Sequence, residues 1–190
     1  MRYSEDHKAH THQRIIDEAS ERFRRDGVGA TGLQPLMKAL DLTHGGFYAH
    51  FKSKDDLVEQ ALSAAVAKLA GGVEKTFSEP QPLQTFIRQY LSSSHRANPG
   101  KGCPLTTLCA ELGQRGQPSP TTDAMVQNRI SQLAEHLEGA DADEKSIAML
   151  SALVGALVLS RSVNDPSLSD RILQGTRQQL VRQLENPDEQ

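Results

Sequence analysis

The densest run of side chains suited to a polyanion lies between Thr43 and Lys54. It holds a hydroxyl at Thr43, imidazoles at His44 and His50, a phenol at Tyr48, and ammonium groups at Lys52 and Lys54. Hydroxyl, imidazole and phenol groups hydrogen-bond phosphate oxygens or base edges, and lysines neutralise phosphates. Gly45 and Gly46 sit inside this run, where each costs about 1 kcal/mol relative to alanine if the segment is helical. A glycine pair lets the backbone approach a ligand closely, lets two helices pack tightly, or loosens a first turn. Lys52 and Lys54 fall near the positive N-terminal end of a following helix, where charge and dipole together favour a phosphate.

Those groups need elements that present them on one face. Phe47 and Phe51, four apart, give the segment an apolar side, and Thr43 can cap a very short helix ending near Phe51. Before it, Leu33, Leu36, Met37 and Leu40 recur at i, i+3, i+4 and i+7. That helix starts near Thr31, where Thr31 and Gln34 have capping-box spacing, and carries Pro35 in its tolerant first turn. Asp41 and Leu42 make a short turn. A preceding helix from about His12 to Arg25 buries Ile15, Ile16, Ala19 and Phe23 and stops at Gly27. Two short helices joined by a tight turn and braced by a third are a helix-turn-helix. The arrangement leaves Thr43, His44, Gly45, Gly46, Tyr48 and His50 available to double-stranded DNA, with Lys52 and Lys54 as a phosphate clamp.

Ser53 and Asp56 cap a fourth helix expected to end at Gly71-Gly72. Further helices are expected over 82–95, 103–113, 121–138, 142–163 and 167–185, separated by Pro, Gly and Asn breaks. With no two-residue alternation and no Asn-Gly hairpin, the chain reads as all-α. Its 190 residues are enough for a sizeable core. Net charge is −3, but residues 1–54 carry nine Lys/Arg against seven Asp/Glu, and residues 55–190 carry twelve against seventeen. A mildly basic N-terminal third therefore precedes an acidic body. The longest near-apolar run, Ile147–Leu159, is 13 residues, short of the roughly 17–25 that cross a bilayer, so no membrane role is expected. The charged first residues do not read as a signal region. Two cysteines, Cys103 and Cys109, form no disulfide framework, which fits a reducing cytoplasm.

In the body, Ile147–Leu159 has apolar or small residues on nearly every face, which marks a helix buried on all sides. Leu150, Val154 and Leu157, with Leu173 and Leu180 of the last helix, are the candidates for a homodimer interface; the alternative is an internal core. Phe86, Tyr90, Met125, Met149 and the apolar residues around 105–112 are candidate pocket residues or plain core, and Arg129 and His136 lie near the apolar face of their helix. Cys103, after Lys101-Gly102 and before Pro104, stands where a helix dipole and a lysine lower a thiol pKa, and His95 could assist it; the alternative is a small buried residue. That would make an oxidant or electrophile sensor. His7, His10 and His12 are expected in an exposed N-terminal tail. No glycine phosphate loop, His-Glu-x-x-His or paired-cysteine motif is present, so a helical enzyme is the weaker alternative, and no cofactor or metal is expected.

The stretch Leu42–Val58, LTHGGFYAHFKSKDDLV, resembles the DNA-binding signature of the tetracycline-repressor (TetR) family of bacterial regulators. RIIDEASERFRRDGVGATGLQPLMKAL before it resembles that family's first two helices. The resemblance covers about the first 60 residues and is most specific at Gly45, Phe47-Tyr48, His50-Phe51 and Ser53-Lys54. It implies that Thr31, Thr43, Tyr48, His50 and Lys54 hold DNA phosphates while His44, Gly45 and Gly46 face the bases. Gln34 is taken with the DNA-binding set, although it and Pro35 replace more typical residues. Asp41 stands where the family often has glycine, and Gly46 where it usually has a small side chain. The resemblance further implies a DNA-binding domain over 1–54 and a helical ligand-binding and dimerisation domain over 55–190. With these come an Ω-shaped homodimer, a palindromic operator, and release from DNA by a small-molecule inducer.

Overall fold

Between its proline, glycine and asparagine breaks the chain has little alternative to helix, and the computed structural model, which describes residues 5–185, shows no strand among the described residues. The first helix, α1 (Glu5–Asp26), starts well before His12. His7, His10 and His12 therefore belong to a helix, which corrects the expected tail. Ile15, Ile16, Ala19 and Phe23 are buried, and Gly27, with φ of 88°, ends the helix by turning its N–H onto the Phe23 carbonyl at 3.1 Å.

The second helix, α2 (Leu33–Lys38), is shorter than expected and the Thr31–Gln34 capping box does not form. Extended Gly32 takes the cap position without a side-chain bond, because the Thr31 hydroxyl donates instead to the Gly27 carbonyl at 2.7 Å. Asp41 adopts the left-handed conformation (φ 58°), letting the Leu42 N–H reach the Met37 carbonyl at 3.0 Å. Thr43 then caps a 3-10 segment, His44–Ala49, by accepting the Gly46 N–H at 3.2 Å.

The reciprocal cap expected at Ser53 is present: Ser53 Oγ accepts the Asp56 N–H at 3.1 Å and Asp56 accepts the Lys52 N–H at 2.9 Å. It starts α3 (Lys54–Phe77), which runs straight through Gly71-Gly72, the expected terminator. About 1 kcal/mol per glycine is too little to stop a 24-residue helix whose flanks are good helix formers. The remaining helices are α4 (Pro82–Tyr90), α5 (Ser93–Ala97), α6 (Leu108–Gln114), α7 (Pro120–Ala134), α8 (Ala142–Ser162) and α9 (Pro166–Glu185), with single 3-10 turns at Pro99–Lys101 and Pro104–Thr106. The expected helix over 82–95 is split because Ser92 caps α5, accepting the His95 N–H at 3.1 Å.

Two compact units result. The first comprises the chain up to Lys68 together with Gly100–Thr121; the second comprises Leu69–Pro99 and the chain from Thr122 onward. The first unit's core gathers Ile15, Phe23, Leu36, Met37, Phe47, Phe51, Leu57 and Leu62, and Leu108 and Leu112 of α6 complete it. Residues around 105–112, expected near a pocket, are thus partly committed here: Leu108 is fully buried and Leu112 nearly so. Polar ties hold the same segment. Arg24, buried in α1, donates to the Ser20 carbonyl at 3.0 Å and to the Gly102 carbonyl at 3.1 Å, and burial pushes its guanidinium below its usual pKa. The Glu59 carboxylate accepts the Ser119 hydroxyl at 2.7 Å and also the Thr121 hydroxyl. Gly100 passes so close to α1 that a Cβ there would lie 2.9 Å from Glu21 Cγ.

In the second unit α8 packs along α9, and α4 lies against both. Arg161 donates to the His95 and Arg96 carbonyls at 2.6 and 3.1 Å, and Arg96 reaches Ser169 and Asp170, each at 2.7 Å. His95 sits under these ties with Nδ1 2.8 Å from the Tyr90 carbonyl; burial, and secondarily Arg161, lower its pKa.

Replacing Leu108 by alanine should destabilise the protein by about 2–5 kcal/mol, as for a filled core site, read as a drop in the urea midpoint. A loss below about 1 kcal/mol would contradict α6's place in that core. A His held neutral in the fold stabilises above its unfolded pKa, about 6.5, and that stability is lost as pH falls towards the lower folded value. The melting temperature of the wild type should therefore fall between pH 7.5 and 5.5, with a shallower fall in His95→Asn.

Candidate nucleic-acid interface

The 3-10 segment has one buried side and one open side. Phe47 is fully buried and Phe51 is 2 % exposed, their rings stacked with centroids 5.3 Å apart. Phe51 is also stacked on the His12 ring at 4.5 Å, and His12 is hydrogen-bonded to Gln60 at 3.0 Å. α1 and α3 are thereby pinned to the far end of the segment. On the open side Tyr48 is 63 % exposed, its ring edge-on to Phe47 and, at 6.1 Å, to His44. Thr43, His44 and Gly45 are exposed beside it, and a Cβ built on Gly45 meets nothing within 4 Å.

The other expected DNA-binding residues fall into three situations. Gln34 on α2 and Lys52 after Phe51 are exposed. Gly46 is half-buried, and a Cβ there would touch Thr43 and Met37. Thr31, His50 and Lys54 are partly committed inside the unit. Thr31 is 5 % exposed, with its hydroxyl on Gly27. Lys54 donates through Nζ to the Val28 carbonyl at 2.6 Å, which uses one of its three donors, and burial lowers its pKa. His50 is half-buried; its Nδ1 meets no hydrogen-bond partner among the described residues, and burial, then His12 and Lys8, lower its pKa. It offers a neutral imidazole rather than a cation. Arg14, not singled out from the sequence, lies beside the same turn and donates to the Leu40 carbonyl at 3.2 Å.

The candidate ligand residues of the second unit are mostly core. Phe86, Tyr90, Met125 and Met149 are buried, and the Arg129 guanidinium carbon lies 4.9 Å from the Phe86 ring centre. His136, exposed, stacks on Phe77. A cavity of about 740 Å³ opens among α4, α8, α9 and the end of α7; Met149 lines it, with Leu83, Gln84, Lys145, Gln179 and Leu180. Gln84, Lys145 and Gln179 carry no sequence pattern that marks a lining, and were missed. Of the interface candidates, Leu150, Leu157, Leu173 and Leu180 are buried within the protomer and Val154 is half-buried. The large apolar groups left exposed on α8 and α9 are instead Ile147, Leu159 and Leu168. Cys103 lies just before the 3-10 turn Pro104–Thr106 and not at the head of α6, and both cysteines are half-buried. Among the described residues no group of three His, Cys, Asp or Glu is placed to hold a metal, and no helix is long and apolar enough to cross a membrane.

A braced, polar-faced 3-10 segment after a short helix and a left-handed turn defines a helix-turn-helix head, the class of head that DNA-binding proteins use. Residues 15–61 match the family described as bacterial regulatory proteins, tetR family. The match covers about a quarter of the chain, and over that segment the head is similar to those of the TetR family. Among curated relatives, the HTH-type transcriptional regulator AcrR of Shigella flexneri is 42 % identical over 50 residues, 26 % of this chain and 23 % of that protein. The HTH-type transcriptional repressor DhaR of Mycobacterium sp. (strain GP1) is 23 % identical over 60 % of this chain and 54 % of its own length. The chain therefore spans about a quarter to a half of these two relatives. The HTH-type transcriptional regulator UidR of Escherichia coli K12 is 20 % identical over 82 % of this chain and 76 % of that protein. Among solved structures, a TetR transcriptional regulator from Chloroflexus aurantiacus superposes with a TM-score of 0.78 at 19 % identity, covering 95 % of this chain and 96 % of that one. The reduced form of E. coli NemR superposes with 0.74 at 16 %, covering 91 % and 96 %. The all-α architecture is the one these structures share.

Alanine at Gly45 has room in the fold and removes a glycine from a helical turn, so its melting temperature should be unchanged or slightly raised. Its DNA affinity should nonetheless fall at least several-fold, measured by fluorescence anisotropy, because the added methyl projects from the open side. Unchanged affinity would remove Gly45 from the contact surface.

Proposed function

We propose that the protein is a homodimeric repressor that reads a palindromic DNA operator through the open side of its 3-10 segment and leaves it when a small molecule binds the second unit. The observation that carries this is the exposed row Thr43, His44, Gly45, Tyr48 and Lys52 on a segment whose other side is fixed by Phe47 and Phe51. Thr43, Tyr48, Lys52 and Lys54 contact phosphates, aided by the N-terminus of α3, while His44 and Gly45 lie at base edges. Thr31 and His50 act from partly buried positions, and Gln34 reaches the backbone from α2.

Dimerisation is supported by the exposed face of α8. Ile147, Ser151, Gly155 and Leu159 recur every four residues, with the two large groups 44 % and 57 % exposed and room beside Gly155 for a second helix. Leu168 of α9 is exposed as well, while Leu150, Leu157, Leu173 and Leu180 are buried and Val154 is half-buried. The cavity near Met149 has the size of small-molecule sites, which favours an inducer with both apolar and hydrogen-bonding groups. Such an inducer releases DNA only if it prefers the conformation that does not bind DNA. The protein acts in the cytoplasm, without a cofactor and without catalysis of its own. A second reading, oxidant or electrophile sensing by Cys103, has in its favour the buried Arg24 guanidinium on the neighbouring Gly102 carbonyl.

Selection from random duplexes, followed by anisotropy titration at about 150 mM salt with nonspecific competitor, tests the proposal. A recovered palindrome that Tyr48→Ala no longer binds, and a dimer in sedimentation that Leu159→Glu turns into monomer, are the expected outcomes. If no sequence is enriched, the repressor reading fails.

A further inference from the structure

The loop between α1 and α2 has both peptide groups of Gly27 and Val28 and the N–H of Gly29 in hydrogen bonds, and one partner lies far away in sequence. Left-handed Gly27 turns the N–H groups of Val28 and Gly29 to one side, forming a small anion-binding concavity. The Glu111 carboxylate of α6 fills it, with Oε2 2.6 Å from the Val28 nitrogen and Oε1 2.7 Å from the Gly29 nitrogen. The fit is close: a Cβ on Gly27, whose φ of 88° already disfavours a side chain, would lie 2.6 Å from Oε2, and one on Gly29 would lie 3.2 Å from Oε1. On the acceptor side, the Val28 carbonyl holds Lys54 Nζ at 2.6 Å and the Gly27 carbonyl holds the Thr31 hydroxyl at 2.7 Å. α6 itself is anchored by buried Leu108 and Leu112.

We infer that Glu111, which lies outside the segment matched by the family, is a positioning residue for DNA binding: it fixes the 27–29 loop, and through the Val28 carbonyl it fixes the Lys54 ammonium for a phosphate. The inference rests on the reading of the head as the DNA-binding surface. Lys54 keeps two N–H donors beyond the one given to Val28, and an ammonium already held in place loses less freedom when a phosphate arrives. Glu111 also favours the charged form of Lys54, offsetting part of the effect of burial. Charge-assisted bonds from one carboxylate to two adjacent N–H groups cannot be copied by an amide, which has a single acceptor oxygen and places its own N–H₂ against the second donor.

The test compares wild type, Glu111→Gln, Lys54→Ala and the double variant on a duplex recovered by selection, with affinity measured across a salt series. Glu111→Gln should bind about tenfold more weakly, with the slope of log K against log salt reduced by about 1, as for one lost phosphate contact. Lys54→Ala should show the same slope, and the double variant should lose no more than Lys54→Ala alone. If Glu111→Gln lowers only the melting temperature, with affinity and slope per folded molecule unchanged, the inference is overturned. Additive losses in the double variant overturn it equally, because Glu111 would then act by another route. Should Glu111→Gln fail to fold, Glu111→Asp keeps the charge but is one methylene too short to hold both N–H groups in the same place, and it carries the same expectations. A wild type that selects no duplex sinks the head reading itself, a result distinct from selective binding that Glu111→Gln leaves untouched.

Discussion

Six residues in 3-10 conformation, two of them glycine, make too few internal hydrogen bonds to hold a shape of their own. The orientation of Thr43, His44 and Tyr48 therefore depends on the burial of Phe47 and Phe51. Each of these rings removes enough apolar surface from water to contribute about 1.5–3 kcal/mol, and together they bolt the segment to α1, α2 and α3. The neighbouring features follow from this need. Asp41 supplies the sharp turn, Thr43 satisfies the first N–H, and the Ser53–Asp56 cap starts α3 immediately after Phe51. What remains on the outside is small, polar and backbone-rich.

A second consequence concerns charge. The N-terminal third is mildly basic by sequence, yet the compact unit it belongs to also takes in the carboxylates of Glu59 and Glu111. Among the described residues neither carboxylate has a salt-bridge partner. Glu59 accepts hydroxyls from Ser119 and Thr121, and Glu111 accepts backbone N–H groups. Arg24 likewise gives its donors to carbonyls. Charged side chains bound to neutral dipoles fix geometry while keeping their full charge, which Lys54 feels from Glu111, and they are less sensitive to salt than exposed ion pairs.

The features legible in the sequence are those with local causes. The stripe Leu33–Leu36–Met37–Leu40, the stop at Gly27, the turn at Asp41 and the cap at Ser53 all rest on residues within a few positions of one another. The exposed row from Thr43 to Lys52 follows from the position of Phe47 and Phe51 alone. Where the cause is distant, the sequence is silent. Leu108 and Leu112 are one turn apart in a short helix, and nothing in their spacing says which core they enter. Glu111 is an ordinary surface acid until its partners, 82 and 83 positions away, are brought to it. Thr31 looks like a cap from its neighbours, but a carbonyl exposed by Gly27 takes its hydroxyl first. The apolar residues of α8 show a related limit: periodicity identifies apolar faces, and α8 has both a face packed on α9 and exposed Ile147 and Leu159, which spacing alone does not tell apart.

The first unit's core closes only when α6 arrives, and this has a bearing on biosynthesis. Ribosomes deliver a chain at about 5–20 residues per second, so roughly 3–10 seconds separate the emergence of Leu62 from that of Leu112. Throughout that interval α1, α2 and the first turns of α3 carry an uncovered apolar patch and an empty anion-binding loop. The nascent head is thus incomplete until Leu112 has been made, about 50 residues after Leu62. A messenger truncated shortly after the matched segment would yield not a free-standing DNA-binding module but a sticky fragment fit for chaperones or proteolysis.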